Sequence, residues 1–377
     1  MMKQNIDNPK VLLVAPSLRI MGGQAVQADR LLAKMRAECW RVDLLPINPQ
    51  PPGILRFTER VKYLRTLVVS FFYIVSLFRR IPHYDVIHIF SASYFSFILA
   101  PTPAILIARF FGKPSILNYR SGEAEDHFSR WGKIVFPIMY LLDAIVVPSG
   151  YLVEVFAEFG FAASAIPNVV DEQAIEYRLR ESVQPKIIVA RALEQLYNIP
   201  CAIRAYQLVK EKYPRSELTV LGYGSEEEHL REMVKQNHIA GVTFTGRVER
   251  EEIGQAYSAH DVFLNSSSID NMPVSILEAF AAGLPVVTTD AGGIPFIVTD
   301  RVNGHLVKVN DHVALAERII ELIENPAEVR RLSEQGAEEI KKYRWSAVRS
   351  QWRDLYRRTI AAHSAPAVTL SSEKSQR

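Results

Sequence analysis

The sequence predicts two successive parallel α/β domains. Short aliphatic and β-branched runs alternate with segments of helical period along the chain, and this rhythm is played twice, on either side of a polar, charged stretch at 171–186. Length agrees, because 377 residues of which 48% are hydrophobic exceed one ordinary domain and suffice for two cores. In the first half, residues 11–15, 42–45, 86–89, 115–117 and 144–147 read as buried strands, with helices at 25–35 and 98–111. In the second half the strands fall at 187–190, 218–221, 242–244, 262–265 and 285–288. Domains are expected at 1–170 and 186–345, joined by a linker at 171–185. Val348, Trp352, Leu355 and Tyr356 recur at helical spacing, so a helix at 346–362 is expected to pack back on the first domain. The Ser- and Ala-rich end, 363–377, is expected to be disordered.

Composition removes several function classes. Forty-four Lys and Arg against 41 Asp and Glu give a net charge of +3, too small for a dedicated nucleic-acid binder. Cys39 and Cys201 stand far apart with no CxxC, which excludes a disulfide framework and a cysteine zinc site and fits a reducing compartment. The first ten residues lack the apolar core of a secretory signal. The charge-free apolar run at 66–78 is shorter than the roughly 20 residues a spanning helix needs, so a cytoplasmic, soluble protein is expected.

Three places carry candidate chemistry. After the strand at 262–265 comes Asp270-Asn-Met272-Pro273-Val274, then a helix closed by Gly283. Glu278 shares that helix's apolar face with Val274 and Ala281, so a carboxylate stands where an apolar residue belongs. Such a group either pairs with a core cation or receives a donor from a ligand. Gly292-Gly293 follows the next strand, either as a phosphate approach or as an ordinary tight turn. At the other end, the strand at 11–15 runs into Gly22-Gly23 and a helix, a plausible anion site. It is neither GxGxxG nor a Walker loop, and no Asp-x-Asp signals a metal-bridged diphosphate.

These residues resemble the retaining, nucleotide-sugar-dependent glycosyltransferases of family 4. The resemblance rests on residues 244–309, with further marks at Gly22-Gly23, Asp85-Val-Ile-His88, Val147-Pro-Ser149, Ile166-Pro-Asn168, Arg191, Leu221-Gly-Tyr-Gly224 and Gly246-Arg247, in order over most of the chain. It implies the GT-B fold, two Rossmann-like domains facing each other across a cleft. It also implies that Glu278 holds the donor ribose, that Asp270, separated from it by seven residues, contacts the sugar, and that Arg191 meets the diphosphate. Donor contacts are further implied for Gly22, Gly23, Gly224, Met272, Pro273 and Val274, and acceptor-side roles for His88 and His127. Three departures stand out. Leu196 or Tyr197 occupies the place of the family's diphosphate lysine, Arg120 that of a histidine, and Phe296 that of a glutamate. Arg120 either supplies the missing charge or pairs with Glu123 or Glu125.

The implied activity is metal-independent, cofactor-free hexosyl transfer from a nucleotide-diphosphate sugar to a glycan, lipid-linked or small-molecule acceptor, in cell-envelope or exopolysaccharide synthesis. The alternatives are a catalytically silent nucleotide- or glycan-binding subunit and a related epimerase, for which no dedicated acid–base pair is present. Residues 55–80 carry six cations (Arg56, Arg60, Lys62, Arg65, Arg79 and Arg80) against Glu59 around an aromatic centre. That pattern suits docking on the anionic inner face of a membrane, or an inward-packed helix with solvated basic ends.

Overall fold

The computed structural model describes residues 8–19, 22–53, 61–91, 93–171 and 174–364. The expected disorder at 365–377 and the stretch 55–60 of the basic segment lie outside the described residues.

Two six-stranded parallel sheets organise the chain. The first contains β1 (Val11–Ala15), β2 (Val42–Pro46), β3 (Val86–Ser91), β4 (Ser115–Tyr119), β5 (Ala144–Val147) and β6 (Ser164–Ala165), in the order β2-β1-β3-β4-β5-β6. Its helices are α1 (Gly23–Ala37), α2 (Lys62–Arg80), α3 (Phe95–Leu99), α4 (Pro101–Phe110), α5 (Ala124–Met139) and α6 (Gly150–Glu158). β1 and β3 have every residue buried, as strands covered on both faces must. The helix expected at 98–111 is two helices that meet at Ala100. Pro101 has no amide to continue the first and a preset φ that starts the second.

The second sheet contains β7 (Lys186–Ala190), β8 (Glu217–Leu221), β9 (Val242–Gly246), β10 (Val262–Asn265), β11 (Val286–Thr289) and β12 (His305–Val307), in the order β12-β11-β10-β7-β8-β9. Its helices are α7 (Ile199–Lys212), α8 (Glu227–Gln236), α9 (Arg250–Ser258), α10 (Val274–Ala281), α11 (His312–Glu324) and α12 (Pro326–Glu339), with α13 (Trp345–Ser364) closing the chain. This is the dinucleotide-fold order. Its direction reverses between β7 and β10, so the loops after those two strands part there and leave room for a ligand.

Contacts group the chain into one unit of residues 1–118, 132–145 and 352–377 and another of 119–131 and 146–351. Residues 146–170 carry the last strand of the first sheet, as the boundary expected at 170 requires, and are also tied within the second unit by contacts. Ser149 donates its hydroxyl to Asn271, and the Asn168 amide Nδ2 donates to the Met272 carbonyl at 2.9 Å. The expected linker is also packed. Arg180 is buried, and its guanidinium donates to the carbonyls of Arg178, His260 and Ala282, capping the C-terminal ends of α9 and α10. In α13, residues from Trp352 onward group with the first unit, where the Trp352 ring lies 4.9 Å from that of His88. The helix runs through His363 and Ser364, both expected in the tail. His363 Nδ1 is held 2.6 Å from Asp143 Oδ1.

Candidate functional site

β7 delivers Arg191 and β10 delivers the loop 266–273 to the reversal point of the second sheet, followed by α10. The loop is fastened on several sides. Ser266 Oγ donates to the Asn198 carbonyl at 2.8 Å, the Ser268 amide to the Leu196 carbonyl at 2.9 Å, and Thr289 Oγ1 to the Ser267 carbonyl at 2.6 Å. Asp270 is thereby presented to Arg191, and the two form an ion pair with each side chain only 10% exposed. The Asn271 amide at 2.8 Å and the Ser267 hydroxyl at 3.4 Å also donate to Asp270. Burial raises the Asp270 carboxyl above its ordinary value, and Arg191 with these donors opposes the rise.

Arg191 has two further neighbours. It donates to Ser275 Oγ at 3.4 Å, at the start of α10, and its guanidinium lies over the Tyr197 ring at 3.9 Å. Where the family resemblance places a lysine, an aromatic ring therefore underlies the arginine. α10 spans eight residues, with Pro273 preceding it and Gly283 beyond it at φ +73°. Glu278 is 7% exposed and accepts from the Tyr257 hydroxyl at 3.2 Å. Arg120 leads a loop in which Gly122 approaches the Asp270–Asn271 backbone closely, so the structure gathers Arg120, Arg191 and Asp270 in one region. Burial lowers the Arg120 guanidinium to about 10, which still leaves it charged at neutral pH.

Other expectations change. Gly292 and Gly293 are not open to a phosphate. A Cβ on Gly293 would stand 1.8 Å from the Asn271 carbonyl oxygen, and the Gly293 amide already donates to the Asp270 carbonyl at 3.0 Å. The pair exists to let two backbones meet. Gly293→Ala is expected to cost about 1–3 kcal/mol through overpacking, read as a lower denaturant midpoint. Gly224 likewise abuts the Leu193 carbonyl, and Met272 is committed to Asn168 through its sulfur and carbonyl. Among the described residues no atom lies within 4 Å of a Cβ position on Gly22 or Gly23.

The two histidines assigned to the acceptor side are core residues. His88 is fully buried. Its Nε2 accepts from the Asn118 amide at 3.0 Å, so its Nδ1 carries the proton and donates to the Tyr356 hydroxyl at 2.7 Å. Complete burial within an all-covered strand withdraws it from any acceptor. His127 is also fully buried, 2.9 Å from the Tyr119 hydroxyl, and burial lowers its imidazole to about 4. The unfolded imidazole titrates near 6.5, so His127 contributes stability that is complete above that pH and lost as pH falls toward 4. Melting curves between pH 7 and 4 should show a steeper loss for wild type than for His127→Gln.

Residues 171–339 match the model of "Glycosyl transferases group 1", and residues 21–174 match that of "Glycosyltransferase Family 4". The chain belongs to this glycosyltransferase family. Similar curated glycosyltransferases include the amylovoran biosynthesis glycosyltransferase AmsK of Erwinia amylovora, 29% identical over 42% of this chain and 42% of that protein. Another is the phosphatidyl-myo-inositol mannosyltransferase of Mycobacterium leprae, 28% identical over 52% of this chain and 54% of that protein. The chain thus matches about half the length of these curated relatives. Among solved structures, Anabaena HepE, crystallised with UDP and glucose, is similar with a TM-score of 0.71 at 16% identity, over 92% of this chain and 99% of that one. Sucrose-phosphate synthase of Thermosynechococcus elongatus gives 0.72 at 18%, over 93% and 99%. At these identities the likeness speaks for fold alone, which is GT-B.

Tyr257 escaped the sequence reading, because it lies 21 residues before the Glu278 carboxylate it touches and no motif spacing marks it. Tyr197 was marked only as one of two occupants of the lysine position, not as the ring beneath Arg191.

Proposed function

We propose that the chain transfers a sugar, with retention of configuration, from a nucleoside-diphosphate donor to a glycan, lipid-linked or small-molecule acceptor in cell-envelope or exopolysaccharide synthesis. The observation that carries this reading is the buried Arg191–Asp270 pair, joined to the start of α10 by Ser275, at the reversal point of the second sheet. Two of its relatives, HepE with UDP and glucose bound and AmsK in amylovoran biosynthesis, point the same way.

In this reading Arg191 and the first turn of α10 face the diphosphate, and Arg120 adds a second positive charge. Glu278 holds the ribose and Asp270 the sugar hydroxyls. The acceptor hydroxyl attacks the anomeric carbon on the face that the diphosphate leaves. The new carbon–oxygen bond forms as the bond to the diphosphate breaks, and the hydroxyl proton passes to a departing phosphate oxygen. The donor is the only small molecule this chemistry requires besides the acceptor. Residues 55–80, of which 62–80 form α2, are assigned to an anionic membrane surface on the cytoplasmic side. Among the described residues no helix is long and apolar enough to cross a membrane.

A second reading is a catalytically silent, nucleotide-binding relative, favoured by Tyr197 in place of a lysine and by an Arg191 already committed to Asp270. Incubation with a panel of nucleoside-diphosphate sugars, with and without acceptor glycans, separates the two. Release of nucleoside diphosphate from one donor is expected. Tight nucleotide binding with no release from any donor selects the silent reading.

A further inference from the structure

α2 has two faces of opposite character. Tyr63, Leu64, Leu67, Phe71, Ile74 and Phe78 follow one another at steps of one, three or four residues and form a single stripe. All six are exposed, Leu67 at 69% and Phe71 at 62%. Phe110, at the end of α4 and 74% exposed, extends the stripe, its ring 6.3 Å from that of Phe78. Exposed aromatic residues this numerous on one side of a fold mark an interaction surface. Neither α2 nor α4 contains an acidic residue, whereas Arg65, Arg79 and Arg109 are exposed on them. Arg80 is excluded from this set because it is spent on the Leu44 carbonyl and the Tyr84 hydroxyl.

On another side of the same helix, Arg65, Ser70 and Tyr73 wall a cavity of about 510 Å³, closed by Arg19 after β1, Asn48 after β2 and Ser96 on α3. The cavity lies beyond the carboxyl ends of β1, β2 and β3. The strand order of the first sheet reverses there, as the order of the second does between β7 and β10. Among the described residues no carboxylate lines it. Asn48 Oδ1 accepts from the Ser17 amide and hydroxyl at 3.0 Å each, which fixes the side chain and leaves its Nδ2 donor buried without a hydrogen-bond partner. The arginines Arg19 and Arg65, lining a cavity without a carboxylate among the described residues, suit the oxygens of a phosphate.

We propose that this cavity binds the phosphate-bearing head of a membrane-embedded acceptor while the outer stripe of α2 and the end of α4 rest in an anionic bilayer interface. One helix then reads both parts of an amphiphilic substrate. The stripe takes the lipid surface, and the cavity wall takes the head group that projects from it. The inference rests on the glycosyltransferase reading for the word acceptor, and on the geometry of the first sheet for the rest.

The test is flotation of the full chain with vesicles of phosphatidylcholine alone, or mixed with phosphatidylglycerol or with phosphatidic acid. Wild type is expected to float with both anionic mixtures, better with the phosphomonoester, and not with phosphatidylcholine alone. The double substitution Leu67→Ser with Phe71→Ser, at exposed positions that leave the core intact, should reduce flotation about tenfold or more. Arg65→Gln should remove the preference for phosphatidic acid over phosphatidylglycerol. Equal flotation with uncharged vesicles, or full flotation by the double variant, overturns the proposal. So does binding of soluble glycerol 3-phosphate as tight as that of phosphatidic acid vesicles, which makes the ligand a soluble phosphate. A wild-type dimer in the absence of lipid that the double variant dissolves overturns it in favour of a protein interface. Donor turnover, measured on the same samples, separates the two readings. Turnover without vesicle binding defeats this inference alone, and vesicle binding without turnover defeats the glycosyltransferase reading alone.

Discussion

Arg191→Ala is expected to lower kcat/KM for the donor by about 10²–10³-fold, the usual cost of removing one group that stabilises a developing negative charge. Two effects combine at this position. The leaving diphosphate loses the cation nearest the start of α10. Asp270, whose carboxyl is already raised by burial and restrained by Arg191, also loses its counter-charge and is driven toward the protonated form. Arg191→Lys should recover only part of the activity, because an ammonium group cannot reproduce both the forked contact to Asp270 and Ser275 and the planar stack on Tyr197. Stability should respond less than activity. A buried ion pair roughly balances its own desolvation, and the loop around Asp270 is held independently by Ser266, Ser268 and Gly293. Steady-state kinetics together with a melting curve would separate these contributions.

Glu278→Gln is expected to weaken donor binding by about 10- to 100-fold, the range for a hydrogen bond to a charged partner. Asp270→Asn should weaken binding less and slow transfer more. A ribose contact persists from ground state to transition state, whereas contacts to the sugar matter most while the anomeric carbon carries charge. The glutamine change is suited to this measurement because its amide oxygen can still accept from the Tyr257 hydroxyl while the negative charge is lost. Titration of nucleoside diphosphate, alone and as the sugar conjugate, reads the two roles apart. Equal losses in KM and kcat from both substitutions would contradict the assignment.

Much of this was legible in the sequence, for definite physical reasons. The inner strands are continuous aliphatic runs because both their faces are covered, and β1, β5 and β10 begin and end as the residues dictate. Glu278 was legible because helical periodicity places it among apolar residues, on a helix buried at every position but Val274. β6, at two residues, and β12, at three, are too short to leave a pattern. The meeting of Arg191 with Asp270, 79 residues later, is set by strand order rather than by spacing. His88 shows the opposite failure. A motif marked it for function, yet the strand it occupies and the return of α13 enclose it with Asn118, Trp352 and Tyr356. The Gly-Gly turn also changed meaning, since two glycines permit a backbone to approach a phosphate or another backbone equally well, and only the position of Asn271 decides which.

The central claim is that a nucleoside diphosphate sits at the reversal point of the second sheet. A crystal structure of the chain with bound nucleoside diphosphate tests it most directly. The diphosphate is expected against Arg191 and the first turn of α10, with the ribose hydroxyls on Glu278. A nucleotide bound instead at Gly22–Gly23, with Arg191 still closed on Asp270, would contradict the account.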